Sequence, residues 1–148
     1  MFTWDPSLET GIPLIDKHHK RMFAKVSLLL DPQCKRNVGD ILAFLEDYVD
    51  EHFKAEEWYH KRSQFPEAIE HRRMHDEFIV DFKRMRAEYQ AGTQERRLLM
   101  ELIGVITDWL RNHIMEADRR FSKHWLESRT DDTRRIIRQE VEARYGQG

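Results

Sequence analysis

Apolar residues recur at threes and fours along most of this chain, and four such stripes predict four amphipathic helices. The first runs from about Ile15 to Leu30, with Ile15, Met22, Phe23, Val26, Leu29 and Leu30 on one face, and stops at Asp31-Pro32. The second begins near Asp40, read as an N-cap after Gly39, and continues to about Arg62 through Ile41, Leu45, Tyr48, Val49, Phe53 and Tyr59. Gln64-Phe65-Pro66 breaks it. The third spans about Glu67 to Gln90, with Phe78, Phe82, Met85 and Tyr89 in register, and Gly92 supplies its C-cap. The fourth starts near Gln94 and carries Leu99, Leu102, Ile106 and Trp109. Short connectors between such helices predict an all-α fold, an antiparallel up-down-up-down four-helix bundle preceded by an N-terminal loop arm.

Beyond the fourth stripe, Thr130-Asp131-Asp132-Thr133 is a capping signal for a short C-terminal helix to about Tyr145, with Ile136, Ile137 and Val141 on one side. We therefore divide the chain into a bundle over residues 1–126 and a helical extension over residues 127–148. The pattern leaves open whether that extension docks on the bundle, pairs with another subunit or meets a protein partner.

What breaks the pattern is histidine. His19, His52, His71, His75 and His113 fall on the apolar stripes, so that all four helices carry imidazole where a bundle core calls for leucine. Glu56, one turn beyond His52, adds a carboxylate on the same face. A lone core histidine is usually just hydrogen-bonded, but a buried cluster of imidazoles and carboxylates without a cation costs several kcal/mol. Metal sites in bundle cores are built in this manner. The lack of thiolates on the stripes argues against a structural zinc site or an iron–sulfur cluster, and imidazole with carboxylate suits iron.

Composition narrows the setting. The 148 residues suit one domain, and 35% charged residues with six Gly and four Pro favour long helices over sheets. Lys and Arg are interleaved with Asp and Glu at a net charge of −2, which leaves no basic stripe for nucleic acid. No apolar run resembles a signal peptide or membrane insertion. Cys34 is the single cysteine and falls in a connector, which points to a reduced, cytoplasmic setting.

Several segments together resemble the bacteriohemerythrins. Trp4, Gly11-Ile12 and Ile15-Asp16-Lys17-His18-His19-Lys20 look like their entry segment. Tyr48-Val49-Asp50-Glu51-His52-Phe53-Lys54-Ala55-Glu56-Glu57 resembles their second helix. Phe65-Pro66 with His71 and His75 resembles the third, and Trp109-Leu110-Arg111-Asn112-His113 through Asp118 the fourth. The likeness covers about Trp4 to Phe121. It implies two non-haem iron ions with an oxo or hydroxo bridge, held by His71, His75 and His113 on one side and His19 and His52 on the other. Glu56 and Asp118 would bridge them. It also implies an O2 pocket lined by Phe53, Trp109, Leu110 and Met115, and reversible O2 binding by a monomer rather than an enzymatic reaction.

Six positions fall outside the simple pattern. Asp118 lies five residues from His113, about 140° around a regular helix, whereas Glu116 at three lies nearer the same face. The resemblance favours Asp118 through a local π-type widening, with Glu116 as substitute. Met115 stands where the family more often has Leu or Ile, and reads as packing. His60 extends the series His52, Glu56, His60 where the family usually has methionine. It falls level with His71 in an antiparallel hairpin, and reads either as a hydrogen-bonded core residue or as an auxiliary ligand or outer hydrogen bond to the iron. His18 and His124 fall outside the inward stripes and are expected in solvent.

The competing class is a di-iron enzyme or scavenger acting on O2, peroxide or nitric oxide. Ferritin-like sites of that class use Glu-x-x-His pairs, which are absent from the expected places here.

Overall fold

A computed structural model describes residues 3–31, 38–92 and 95–146, and no strand occurs among them. The helices are α1 (Pro13–Leu30), α2 (Val38–Ser63), α3 (Ala68–Gln90), α4 (Glu95–His113), α5 (Arg119–Ser128) and α6 (Asp131–Tyr145). A π-helical turn, Ile114–Asp118, joins α4 to α5 and makes one long rod of them. α1 packs on α2 and α4, and α3 packs on the same two, which closes a four-helix ring. The all-α expectation holds. Cys34, Pro32 and Gln94 lie outside the described residues, and with them the connector assigned to Cys34.

Two separate apolar clusters fill the bundle, and they fix its direction. Leu42, Leu45 and Phe53 of α2 and Phe78 and Phe82 of α3 belong to the first; Tyr59, Phe65, Phe121 and Trp125 belong to the second. Along α1 the chain meets the second cluster at Ile15 and then the first at Met22. Along α2 that order reverses, from Leu45 to Tyr59, and it reverses again on α3 and once more from Leu110 to Phe121. Alternating order on successive helices is an up-down-up-down bundle. On α1 to α3, His19, Glu56, His71 and His75 sit where one cluster gives way to the other.

Local chemistry sets the ends. Pro13 occupies the first turn of α1, where its missing N–H costs nothing. The buried Asp16 carboxylate accepts from Thr10 N (2.8 Å), Thr10 Oγ1 (2.8 Å) and Gly11 N (3.1 Å), which clamps the N-terminal arm to the helix. α3 stops at Gly92, whose φ of +77° suits only a residue without Cβ penalty, as its sequence position predicts. Asp40 is not an N-cap. α2 already begins at Val38, so Asp40 sits in the first turn, where its charge still favours the helix dipole.

The end of α2 is a Schellman turn on a non-glycine residue. Gln64 takes φ 58°, Phe65 N donates to His60 O at 2.9 Å and Gln64 N to Lys61 O at 3.3 Å. His124 Nε2 donates to Ser63 O at 2.9 Å, and Arg129 donates to the same carbonyl. Half-buried His124 is therefore a cap for the end of α2, not a solvated residue: α5 brings its ring to a carbonyl that it shares with Arg129.

α6 docks on the bundle, chiefly on α2. The Thr130 side chain caps it by accepting from Thr133 N at 3.2 Å. Ile137 and Val141 enter the second cluster beside Tyr59 and Trp125, and burial of that kind contributes about 1.5–3 kcal/mol per side chain. Ile136, on the other side, is exposed.

Candidate metal centre

The seven donors implied by the resemblance converge between the two apolar clusters, and all are buried. Each helix supplies its share for a local reason. His52 and Glu56 are one turn apart on α2, as are His71 and His75 on α3, so each pair shares a face. α1 contributes His19 and α4 ends on His113. Asp118 arrives through the π turn. Extra residues per turn bring His113, Ile114, Ala117 and Asp118 inward together and leave Met115 and Glu116 outside.

That turn decides two expectations. Glu116 is exposed and is not part of the cluster, so the alternative to Asp118 falls away. Met115 does not line a buried pocket: it is 47% exposed, because the widened turn presents Ile114 to the first cluster in its place. Periodicity alone missed Ile114, since a regular helix does not place it there. Phe53 and Leu110 are buried and Trp109 half-buried.

Each carboxylate divides its oxygens between two sets of imidazoles. Glu56 Oε1 lies 2.9 Å from His52 Nε2 and 3.5 Å from His19 Nε2, while its Oε2 lies 3.2 Å from His71 Nε2 and 3.0 Å from His75 Nε2. Asp118 does the same, with Oδ2 at 3.2 Å from His19 Nε2 and Oδ1 at 3.1 Å from His71 Nε2 and 3.2 Å from His113 Nε2. His113 Nε2 also lies 3.0 Å from His71 Nε2 and 3.1 Å from His75 Nε2. The donor atoms of Glu56, His71, His75, His113 and Asp118 fall within 4.8 Å of one another, as do those of His19, His52 and Glu56.

The arrangement fits cations. Glu56 Oε1, both Asp118 oxygens and His19 Nε2 have close neighbours yet make no hydrogen bond of acceptable geometry. Groups at 3 Å whose lone pairs converge without a proton along the line need a positive ion there. Ring stacking holds two of the imidazoles: Phe53 lies 3.8 Å from the His75 ring at 1° and Trp109 4.3 Å from the His113 ring at 10°. Glu57 Oε1 stands 3.5 Å from His75 Nδ1.

Without metal the site carries its own charge balance. Burial pushes the Glu56 carboxyl up, but His52, His19 and His71 overcome it and hold it well below the usual carboxylate range. Asp118 is likewise pushed up by burial and by Glu56, and held well below its usual value by His113 and His19. Burial opposes protonation of His19 and His71, yet contacts with Asp118 and Glu56 raise both to about 9. His52 and His113 move down, chiefly through burial. His75 is raised as well, by Glu56 and Glu57 against burial. Two anionic carboxylates thus face imidazoles that favour the protonated form, and a metal ion would displace those protons.

Two further histidines depart from expectation. His18 is only 3% exposed, not solvated, because the end of α6 folds over it. Burial, then His52, depresses it to about 3. His60 lies outside both donor groups. Its ring packs 4.4 Å from those of His71 and Phe121 and 5.1 Å from Phe65, and neither nitrogen has a hydrogen-bond partner. Neither expected hydrogen bond, to a carbonyl or to a glutamate, is made. Burial, then the His71 charge, lowers it to about 3.

An all-helical bundle with a buried core of five histidines and two carboxylates defines the class of histidine-rich candidate cation sites. The hemerythrin HHE cation-binding domain matches residues 10–124, and the chain belongs to that family. It is similar to a bacteriohemerythrin of Pseudomonas paraeruginosa, 32% identical over 78% of this chain and 75% of that one. A hemerythrin-like protein of Naegleria gruberi is 30% identical over 81% of this chain and 90% of its own. A solved structure of a point mutant superposes with a TM-score of 0.72 at 25% identity, covering 83% of this chain and 95% of that one. No described helix is long and apolar enough to cross a membrane.

Proposed function

We propose that the chain binds two non-haem iron ions and takes up O2 reversibly. The observation that carries this reading is the split of Glu56 and Asp118, each of which aims one oxygen at each histidine set. His71, His75 and His113 would hold one ion and His19 and His52 the other, with Glu56 and Asp118 shared between the two sets. The iron pair would supply the electrons for O2 binding.

What the protein supplies is shape and dryness. The two-histidine side has one imidazole fewer, so it is the side that would have room for O2. Phe53, Leu110 and Ile114 close the first cluster over the donors and keep bulk water, and hence stray protons, from the site. Phe53 and Trp109 stop their partner imidazoles from rotating. These features favour a carrier, store or sensor over a turnover enzyme, because a catalyst that consumes O2 needs a proton supply.

Anaerobic loading with ferrous iron tests it. Two irons per chain are expected, with a visible absorption band that appears on admitting O2 and disappears on removing it. One ion per chain would falsify the di-iron reading. Irreversible oxidation in one pass would instead assign the centre to an oxidase or scavenger.

A further inference from the structure

His18 and His19 are adjacent on α1, yet they face different partners. His18 Nδ1 stands 3.0 Å from His52 Nδ1, and His18 Nε2 stands 3.2 Å from the carbonyl oxygen of Tyr145, in the last turn of α6. A carbonyl only accepts. The His18 proton therefore sits on Nε2, and in the neutral ring Nδ1 is a bare acceptor. His52 Nδ1, which faces that lone pair, must donate to it. His52 is then left with a lone pair on Nε2, 2.9 Å from Glu56 Oε1. Two lone pairs at that distance repel unless they share a cation.

The far end of the chain of bonds is anchored as well. Lys17 Nζ donates to Gly146 O at 3.3 Å, and Ile137 and Val141 bury α6 in the second cluster. The Tyr145 carbonyl is thus held by helix packing and does not rely on His18 for its position.

We propose that the Tyr145 carbonyl and His18 form a two-bond relay through which α6 fixes His52 in the tautomer that offers a bare Nε2 to a metal ion. His18 is a positioning residue for the two-histidine side of the centre. Its purpose rests on the di-iron reading, whereas the tautomer is a property of the metal-free chain and is measurable alone. With the relay cut, His52 moves its proton to Nε2, donates to Glu56, and must release that proton before an ion binds. Partners of metal-bound imidazoles commonly change affinity by about 10–100-fold.

The test uses the full-length chain with 15N-labelled histidine and two variants. His18→Leu cuts the relay. His18→Gln keeps it, since its amide oxygen accepts from His52 while its NH2 donates to Tyr145. In metal-free protein the share of His52 protonated on Nδ1 is expected to fall in H18L relative to wild type, as the acceptor for that proton is lost, and to return in H18Q. In anaerobic titrations with Co(II) alone, H18L is expected to bind one of two ions at least about tenfold more weakly, and H18Q within about threefold of wild type.

Unchanged tautomer and affinities in H18L overturn the relay, as does failure of H18Q to restore them. Should H18L not fold, Zn(II)-loaded wild-type protein in which the His52 Nδ1 proton is not hydrogen-bonded to His18 Nδ1 overturns it. Wild-type protein that binds fewer than two ions defeats the di-iron reading instead, and leaves the tautomer measurement standing.

Discussion

Replacing His60 with methionine is expected to make the metal-free protein more stable, although it removes a buried histidine from beside the site. Both His60 nitrogens are buried and without partners, and burial holds the ring neutral at pH 7. An unsatisfied buried polar group costs about 1–3 kcal/mol. Methionine fills a similar volume against Phe65, His71 and Phe121 and leaves nothing unsatisfied, while ordering its longer side chain costs up to about 2 kcal/mol. The polar term wins on balance, for a net gain of about 1 kcal/mol. In a chain of this length that is roughly 2–4 °C in the melting midpoint. Urea unfolding of metal-free H60M against wild type measures it. Destabilisation by about 1 kcal/mol or more refutes the reasoning, because it requires a partner for His60. In the iron-loaded protein, a changed rate of oxidation in air identifies His60 as an influence on the ions; an unchanged rate and spectrum remove that role.

Asp118→Asn is expected to lower bound iron below two per chain, whereas Glu116→Gln leaves it unaltered; equal loss in both variants defeats the assignment through the π turn. Metal-free stability is expected to peak near pH 6.5. His19 and His71, raised to about 9, contribute stability that is complete below the unfolded value of 6.5 and is lost as pH climbs through 9. His18 and His60, depressed to about 3, contribute above 6.5 and lose it as pH falls toward 3. Thermal midpoints from pH 4 to 10 check this, and a flat profile between 6.5 and 9.5 counts against it. With metal in place of the protons, the alkaline loss is expected to vanish.

Helices and donors were legible in the sequence to different degrees. The 3.6-residue period located the bundle helices and placed His19, His52, Glu56, His71, His75 and His113 inward, because each is set by its own helix face. Asp118 was not legible by period, since a π turn breaks the rule on which the period rests, and the same turn moved Met115 out and Ile114 in. His18 and His124 were misread for a different reason. Each is covered by a segment far along the chain, Tyr145 for one and the end of α2 for the other, and no local pattern reports such contacts. Thr130 and the Ile137 and Val141 stripe marked α6 well, but not the surface that receives it.

The separation of the apolar interior into two clusters gives the metal centre a second consequence. An 18.0 kDa chain normally draws its cooperativity from one continuous oily core, and each half here is small for independent stability. The layer joining them is the least oil-like part of the molecule, a waist of imidazoles and carboxylates crossed by every bundle helix. Ions held there would act as rivets between the two halves. On the di-iron reading, metal supply would then set how long the chain survives proteolysis, since an empty waist lowers the free energy of local opening.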